Sequence, residues 1–229
     1  MRRRFRQVEQ ILSGVGVLDK AVLVITMVEN QPRSLNELVE ATSLSRATAF
    51  RLAQALEAHG ILRRDAAGRF TLGVRLIALG REAAATFPIE EIAAPVLAKL
   101  RDRTGESVQL YVRDGTSRVC LLALDSPREL RTIVAPGAKL PLGRGSAGRL
   151  LGGESAGPGG WLETVEEREP GVASVSAPVH DRDGVVAALS VSGPVERISR
   201  SPGSLHGEVV AAAATRLSAE LTGALASGS

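Results

Sequence analysis

The feature that most constrains this chain is a series of short helical patterns in its first third that ends in a basic hairpin pattern. Apolar residues recur at helical spacing over residues 17–28. Ser34 and Glu37 have the spacing of a capping box, so a second, short helix is expected there. Ser45 then caps a third helix, which we expect to end at Gly60.

The same stretch predicts a winged helix-turn-helix. A short helix, a tight turn and a second helix have helix-turn-helix geometry. Residues 61–64 and 69–72 flank a turn at 65–68, which predicts a hairpin that serves as a wing. Short hydroxyls and arginines on such a helix and wing suit base edges and phosphates. The candidate DNA contacts are Ser45, Arg46, Ala47, Thr48 and Arg51 on the helix, with Arg63, Arg64 and Arg69 on the wing.

Charge supports a polyanionic partner for this part of the chain. Residues 1–75 hold 12 Lys and Arg against 7 Asp and Glu, whereas the remainder holds 16 against 18. A basic front third with a mildly acidic remainder indicates that one part meets nucleic acid. A genome rich in G and C would also produce many arginines. The arginines within the basic tail, residues 1–13, fit either a minor-groove arm or a solvated tail.

Other classes of protein also contain helix-turn-helix patterns. In an enzyme or a dimerisation module, Ser45 would only cap a helix and the arginines would only be solvated. The ordered series of elements, together with the charge, favours DNA binding. After the wing, apolar residues at 72, 76, 79 and 83 form a narrow seam on a helix over 74–86. That seam fits docking against another helix or packing on its own domain.

Residues 87–229 predict an α+β domain. A helical pattern comes first, alternating or apolar segments between Gly, Asp and Pro turns predict strands, and a long helical pattern comes last. The predicted helices lie over 92–100 and 209–221, and the predicted strands over 107–112, 119–124, 130–134, 173–179 and 185–191.

Two stretches of this domain are candidate binding elements. A glycine loop at 143–148 precedes a helix start, and free backbone N–H groups there would suit a carboxylate, although a plain glycine turn is equally compatible. The loop lacks the spacing of a nucleophile elbow or of a P-loop. Serines at 174 and 176, and at 190 and 192, share strand faces and either bind a small polar ligand or face solvent.

The sequence offers no catalytic or metal-binding constellation. Cys120 is the single cysteine and the three histidines are far apart, so no metal-ligand spacing exists. Cys120 lies in an apolar run and is expected to be a buried thiol. We therefore expect no cofactor and no metal. No apolar run approaches the length of a membrane span, so a cytoplasmic protein without a membrane partner is expected.

The first third resembles the winged helix of the IclR family of bacterial transcription regulators. The matching strings are GVGVLDKAVLVITMVE and SLNELVEATSLSRATAFRLAQALEAHGILRRDAAGRFTLG. The remainder resembles the family's C-terminal, GAF-like effector domain through RTGESVQLYVRDG, GAKLPLGRGSAGRLL, EREPGVASVSAPV and VVAALSVSGPVER. The last two strings look most like the actinobacterial branch that controls leucine and other amino-acid biosynthesis genes.

The resemblance implies a repressor that binds double-stranded operator DNA as a homodimer or a dimer of dimers. It implies a winged helix-turn-helix domain over 14–73, a linker helix over 74–86 and an effector domain over 87–229. Effectors in the family are mostly small organic acids and aromatic compounds. The implied effector-binding positions are Gly145, Ser146, Ala147, Val172, Ser174, Ser190 and Ser192.

One departure from the family affects this pocket. Members of the family carry a further helical segment between the glycine loop and the next strand, whereas only a glycine-rich linker joins Leu150 to Trp161 here. Either the segment is absent, in which case the pocket lacks one wall, or the printed sequence lacks residues that the protein has. The alternative functions are an enzyme or small-molecule carrier that uses the winged helix for protein contact, and an RNA-binding protein. The low content of aromatic residues (3%) disfavours an RNA-binding protein, because such proteins often stack bases on aromatic side chains.

Overall fold

A computed structural model of the chain describes residues 14–29, 31–86 and 89–227. They form two compact units, which divide between residues 87 and 88. The basic tail predicted over residues 1–13 lies outside the described residues. Each unit has its own hydrophobic core.

The first unit has the order of elements that the sequence predicts. Its helices and strands are α1 (Gly16–Glu29), α2 (Leu35–Thr42), α3 (Arg46–Ala58), β1 (Leu62–Arg64), β2 (Phe70–Leu72) and α4 (Arg75–Thr86). Strands β1 and β2 pair antiparallel, with Leu62 opposite Leu72. The unit is therefore a helix-turn-helix followed by a short hairpin and a further helix, as the patterning indicates.

Local hydrogen bonds explain where the helices of this unit begin. The Ser34 hydroxyl accepts from the Glu37 N–H while the Glu37 carboxylate accepts from the Ser34 N–H, which completes a capping box. The Ser34 N–H also lowers the pKa of the Glu37 carboxyl. Ser43 ends α2 with a left-handed φ of 56°, and two residues later Ser45 caps α3 by accepting from the Thr48 N–H at 3.3 Å. These two caps set the tight turn between α2 and α3.

The helices and the hairpin bury a small common core. Val24 and Val28 from α1, Leu38 from α2 and Ala53 from α3 pack with the hairpin residues Leu62 and Phe70. The narrow apolar seam predicted on α4 is largely solvent-exposed, since Leu76 is only half-buried and Leu79 is 49% exposed.

The second unit is a sheet with helices on both faces. Its elements are α5 (Ile89–Thr104), β3 (Ser107–Asp114), β4 (Ser117–Leu124), β5 (Lys139–Pro141), α6 (Ser146–Leu151), β6 (Leu162–Val165), β7 (Val172–His180), β8 (Val185–Pro194), α7 (Val195–Ile198) and α8 (Pro202–Ser227). Among the described residues the sheet has six strands in the order β5-β4-β3-β8-β7-β6, and every neighbouring pair is antiparallel.

The strand predicted over residues 130–134 is wrong. That stretch has no ladder partner among the described residues, and β5 at the sheet edge pairs with the start of β4 instead. Thr132 and Val134 are buried there, while Leu130 and Ile133 are exposed. Strand β6, a four-residue strand at the other edge of the sheet, was not predicted from the sequence.

Period-two alternation divides the sheet into two faces with different chemistry. Val175, Ala177 and Val179 of β7 belong to the large core that includes residues of α5 and α8. The intervening Ser174 and Ser176 lie on the other face, where they contact the start of α6. The face covered by α5 and α8 is thus an apolar core, and the face beneath α6 is lined with hydroxyl groups.

A buried ion pair connects the start of β3 with α7. The Glu106 carboxylate is 2% exposed and is bound in a bidentate manner by the Arg197 guanidinium, whose Nη2 lies 2.7 Å from Oε2. The same Nη2 donates to the Leu130 carbonyl at 3.0 Å, which holds the irregular 130–134 segment. Gly193 leaves room for this carboxylate, because a Cβ at that position would clash with Glu106.

We predict that Arg197→Met lowers the free energy of unfolding by about 3 kcal/mol, since it leaves the Glu106 charge buried without a partner. Urea denaturation followed by circular dichroism measures this loss. Arg216→Met is the matched control, because Arg216 pairs with Glu220 at the surface of α8 and such pairs contribute about 0.5 kcal/mol or less. Equal losses in the two variants would show that the Glu106–Arg197 pair has no special role.

Candidate DNA-binding surface and ligand cavity

The N-terminal part of α3 presents the predicted DNA-contacting side chains at the surface of the first unit. Ser45, Arg46, Ala47 and Arg51 are exposed and Thr48 is half-buried. The Ser45 and Thr48 hydroxyls lie 2.9 Å apart, and the Arg46 guanidinium donates to the Asn36 amide oxygen. Because Ala49 and Ala53 are fully buried on the opposite side, the orientation of this face is fixed by the core.

The arginines of this surface differ in the contacts that their guanidinium groups make. Arg64 pairs with Glu57 at 3.3 Å and lies 4.2 Å above the Phe70 ring, so it supports the hairpin. Arg69 pairs with Asp65 at 2.8 Å across the hairpin turn. Arg51 and Arg63 are exposed, and their side chains have no hydrogen bond or ion pair with any residue that the structure describes. These two guanidinium groups are therefore free for an external partner.

In the second unit, residues from four strands and the start of α6 surround a small polar cavity beneath α6. The lining residues are Gln109, Tyr111, Arg118, Gly145, Ser146, Ala147, Arg168, Ser174, Ser190 and Ser192. Six of the seven predicted effector-binding positions are among them. Val172, the seventh, is not. The open space within the cavity is about 20 Å³, which is room for about one water molecule.

A chain of hydroxyl groups joins α6 to the sheet on one side of this cavity. The Ser146 hydroxyl lies 2.8 Å from that of Ser174 and 2.7 Å from that of Ser176. The Ser176 hydroxyl donates to the Ser190 hydroxyl at 2.9 Å. Strand register explains the arrangement, because Ser176 lies directly opposite Ser190 in the ladder between β7 and β8.

The expectation of free N–H groups in the glycine loop is wrong for two of its positions. The Gly145 N–H donates to the Glu167 carboxylate at 3.0 Å, and the Ser146 N–H donates to the Thr164 hydroxyl at 3.0 Å. Arg149 fixes Glu167 from the other side with a 2.8 Å ion pair. A carboxylate of the chain itself thus occupies the loop position that the sequence suggested for a ligand.

The largest charge in the cavity belongs to Arg118 of β4. Its side chain is buried, with the residue 2% exposed, and its guanidinium lies 5.2 Å from the centre of the Tyr111 ring. Nη1 donates to the carbonyls of Pro141 and Arg144, each at 2.6 Å. No carboxylate among the residues described lies within 4.0 Å of Arg118. This cation is therefore buried without an acidic partner.

Two buried donors of the lining have no hydrogen-bond partner in the described part of the chain. They are Nε of Arg118 and Nε2 of Gln109. The side-chain carbonyl of Gln109 accepts from the Ser192 hydroxyl at 3.0 Å. This bond orients the amide and leaves its NH₂ group without an acceptor among the described residues. Buried polar groups in native proteins are nearly always paired, so unpaired donors beside a cavity indicate a place for an acceptor.

Burial changes the ionisation of the groups around the guanidinium. Burial lowers the pKa of Arg118, and the charge of Arg168 lowers it further, while Tyr111 and Cys120 raise it. An arginine nevertheless stays charged at neutral pH. Burial raises the pKa of Tyr111 to about 12 and that of the Cys120 thiol to about 12. The phenol and the thiol are neutral at pH 7, so the Arg118 charge is not balanced by either.

Sequence inspection did not select Gln109, Tyr111, Arg118 or Arg168 as binding residues. Gln109 and Tyr111 lie within the strand predicted over 107–112, but only the pairing of β3 with β8 puts Gln109 opposite Ser190. Nothing in the local sequence distinguishes Arg118 from the other arginines of the chain, and its burial is a property of the folded unit. The glycine at position 148 is an indirect indication of a close contact at this point of α6. A Cβ there would clash with the Arg118 guanidinium and lie 3.1 Å from the Pro141 carbonyl oxygen.

The chain crosses from α6 to β6 through residues 152–161 without a helix. A turn closes this connection, in which the Gly157 N–H donates to the Trp161 carbonyl at 2.9 Å. The Trp161 ring lies against Gly203 and Gly207 of α8, where any larger residue would clash with it. The short connection is thus anchored on α8, as the glycine-rich sequence allows.

Within 14–29, 31–86 and 89–227 there is no group of three or more His, Cys, Asp and Glu side chains that could hold a metal ion. Of the helices in those ranges, none combines the length and the apolar composition that crossing a bilayer requires.

Two family models match the chain and together cover most of it. The IclR helix-turn-helix domain matches residues 17–66. The C-terminal domain of the bacterial transcriptional regulator IclR matches residues 82–153 and 158–219. The break between the last two ranges falls in the short connection after α6.

Individual proteins show the same similarity. The regulator KipR of Bacillus subtilis is 30% identical over 133 residues, which are 58% of this chain and 53% of that protein. The glycerol operon regulatory protein of Streptomyces coelicolor is 26% identical over 238 residues, covering 87% of this chain and 92% of that protein. A solved IclR homologue from Microbacterium hydrocarbonoxydans, complexed with 4-hydroxybenzoate, has a TM-score of 0.74 at 20% identity, covering 90% and 98% of the two chains.

The helix-turn-helix with its wing, the α+β second unit with a polar cavity, and the two matching family models agree with one another. The chain belongs to the IclR family of bacterial transcriptional regulators and is a DNA-binding, ligand-responsive regulator.

Proposed function

We propose that this protein is a repressor that binds a near-palindromic operator through α3 and the wing, and that a small molecule in the α6 cavity changes its affinity for DNA. The observation that carries the DNA part is the exposed, unpaired state of Arg51 and Arg63 on a surface whose orientation the core fixes. Relatives from Salmonella and Escherichia coli are named transcriptional repressors, which supports the direction of regulation. Because the proposed partner is DNA, we infer that the protein acts in the cytoplasm.

Roles within the surface follow from how each side chain is held. Ser45, Arg46, Ala47, Thr48 and Arg51 stand at the N-terminal part of α3, the part of a recognition helix that reads base edges. Arg63 and Arg69 on the hairpin suit phosphate contacts. To make such a contact, the Arg69 guanidinium would leave its surface ion pair with Asp65 and bind a phosphate instead. An enzyme or a carrier that uses the winged helix for protein contact is not favoured by the family to which the chain belongs.

The test of this function is protection of genomic DNA fragments by the purified protein over a range of salt concentrations. A discrete, roughly palindromic protected site supports the proposal. Diffuse binding that fades steeply with salt would contradict it, since phosphate attraction alone behaves in that way.

We predict that Arg51→Ala lowers the affinity for the protected site at least tenfold, because a base-reading arginine contributes about 1–3 kcal/mol. Fluorescence anisotropy with the labelled site measures the change, and circular dichroism checks the fold. Arg182→Ala removes the same charge from the exposed turn between β7 and β8 in the second unit and is expected to change affinity less than twofold. Equal losses in both variants would remove Arg51 from the recognition surface.

A second prediction concerns the wing. Arg63→Ala is expected to weaken binding to the protected site and to an unrelated duplex by the same factor, because a phosphate contact does not depend on sequence. It should also reduce the slope of log affinity against log salt by about 1. Titrations at four salt concentrations measure both quantities. A loss confined to the protected site would instead make Arg63 a base-reading residue.

We further propose that two copies of the chain pair through the first unit. Apolar side chains on α1 and α4 are exposed, among them Val17, Leu18, Ile77 and Leu79 at 49–67%. A near-palindromic operator requires two recognition helices related by a two-fold axis. The linker helix predicted over 74–86 corresponds to α4, which would thus serve both as the linker and as part of the pairing surface. Pairing through α4 is compatible with a dimer and with a dimer of dimers.

Ile77→Lys is expected to weaken pairing at least tenfold, because it places a charge in an apolar contact. Light scattering coupled to gel filtration over a concentration series measures the change. Arg81→Lys on the same helix keeps the charge pattern and serves as the control. Unchanged pairing in Ile77→Lys would place the contact between copies elsewhere.

A further inference from the structure

We propose that Phe50 of α3 contacts the 5-methyl group of a thymine in the major groove, which makes the operator specific for thymine at that position. This inference rests on the proposed binding of DNA by α3 and adds to it a residue that determines specificity. Its basis is an aromatic side chain, 39% exposed, on the helix that carries the candidate base contacts. The sequence patterns did not select Phe50 as a DNA contact.

Exposure is the first argument. Phe50 is the one large hydrophobic residue that is exposed within 31–73, whereas the other exposed ones described in this unit lie over 15–22 and 74–79, on or beside α1 and α4. Helix α3 buries Ala49 and Ala53, and Phe50 is not a member of the hydrophobic core of the unit. The ring is therefore outside both the core and the proposed pairing surface.

Position on the helix is the second argument. Phe50 follows Arg46 by four residues and Ala47 by three, and residues at these spacings are neighbours on the surface of a helix. Long side chains on a helix lean towards its N-terminus, which directs Phe50 towards the first turn of α3. Arg51, the next residue, is exposed as well. An aromatic ring is thus among the groups that α3 would present to the major groove.

The chemistry of the groove is the third argument. Base pairs present hydrogen-bond donors and acceptors in the major groove, and thymine adds its C5-methyl group. A phenyl ring has no hydrogen-bonding group, so contact with a donor or an acceptor would remove that group from water without pairing it. Contact with a methyl group instead removes apolar surface of both partners from water. Thymine is therefore the base that a phenylalanine at this position favours.

The fourth argument is that the ring is accessible yet supported. The Arg64 guanidinium lies over the Phe70 ring, whereas no cation covers the Phe50 ring among the residues described. Arg46, one turn earlier, donates to the Asn36 amide oxygen of α2. Because Phe50 is only partly exposed, the unit supports one side of the ring and leaves the other accessible. Such support lowers the entropic cost of the contact.

The first experiment removes single methyl groups from the operator and leaves the full-length protein unchanged. Each thymine of the protected site is replaced by deoxyuridine, in both half-sites at once, and affinity is measured by fluorescence anisotropy. Deoxyuridine keeps the hydrogen-bonding groups of thymine and lacks only the methyl. We expect at least one position at which affinity falls about tenfold, since burial of one methyl contributes about fourfold in each half-site. A discrete site without such a position would overturn the inference.

Substitutions then assign the methyl contact to Phe50. Phe50→Ala is expected to bind the thymine and deoxyuridine forms of the site equally, because the methyl has lost its partner, whereas Phe50→Leu should keep a preference for thymine. Leu205→Ala is the control, since it removes an exposed apolar side chain from α8 and should keep the full preference. A full preference for thymine in a folded Phe50→Ala would place the contact on another side chain, such as Ala47, and contradict the assignment.

A crosslinking measurement on the unsubstituted protein covers the case in which Phe50→Ala does not fold. 5-Iododeoxyuridine, which carries iodine in the place of the thymine methyl, is introduced at the sensitive position and the complex is irradiated. We expect mass spectrometry to find the nucleotide attached at Phe50. Attachment at any other residue would overturn the inference.

The same measurements separate this inference from the proposed function. A discrete protected site in which no thymine is sensitive to the loss of its methyl would leave operator binding by α3 in place and contradict the role of Phe50 alone. Diffuse binding without a protected site would contradict both, because a methyl contact favours some sequences over others.

Discussion

The two-residue alternation of β3, β7 and β8 is the constraint on which the second unit depends. It sends Val108, Leu110 and their counterparts into one core with α5 and α8, and it leaves Gln109 and the serines on the other face. One apolar face is enough to hold the sheet, so the second face is free to carry polar groups. A shift of one residue in the register of β7 would exchange the two faces and lose both the core and the cavity.

Once the polar face exists, its charge is determined by which acids are already engaged. Glu106 is committed to Arg197 and Glu167 to Arg149 and the glycine loop. Arg118 shares the polar face with hydroxyl and carbonyl dipoles, which stabilise a cation without neutralising it. The positive character of the cavity thus comes from a side chain on the sheet, whereas the Gly145 and Ser146 N–H groups at the start of α6 are satisfied within the chain.

Local signals in the sequence predicted most of the fold. The caps at Ser34 and Ser45 and the period of the apolar residues placed the helices of the first unit nearly to the residue, because each depends on neighbours within one turn. Predictions failed for short segments, in which a few residues give too little pattern to decide pairing. Residues 130–134 have no strand partner in the described part of the chain, and β6 is a four-residue strand at the edge of the sheet beside β7.

The cavity shows a division between local and distant determinants. The glycine loop and the spaced serines could be selected from the sequence, since each is a pattern within a few residues. The burial of Arg118 could not, because it requires Pro141, Arg144 and Gly148 to converge on one guanidinium. The glycine loop and the serines are therefore visible as local patterns in the sequence, whereas the buried, acid-free environment of Arg118 is visible only in the three-dimensional contacts.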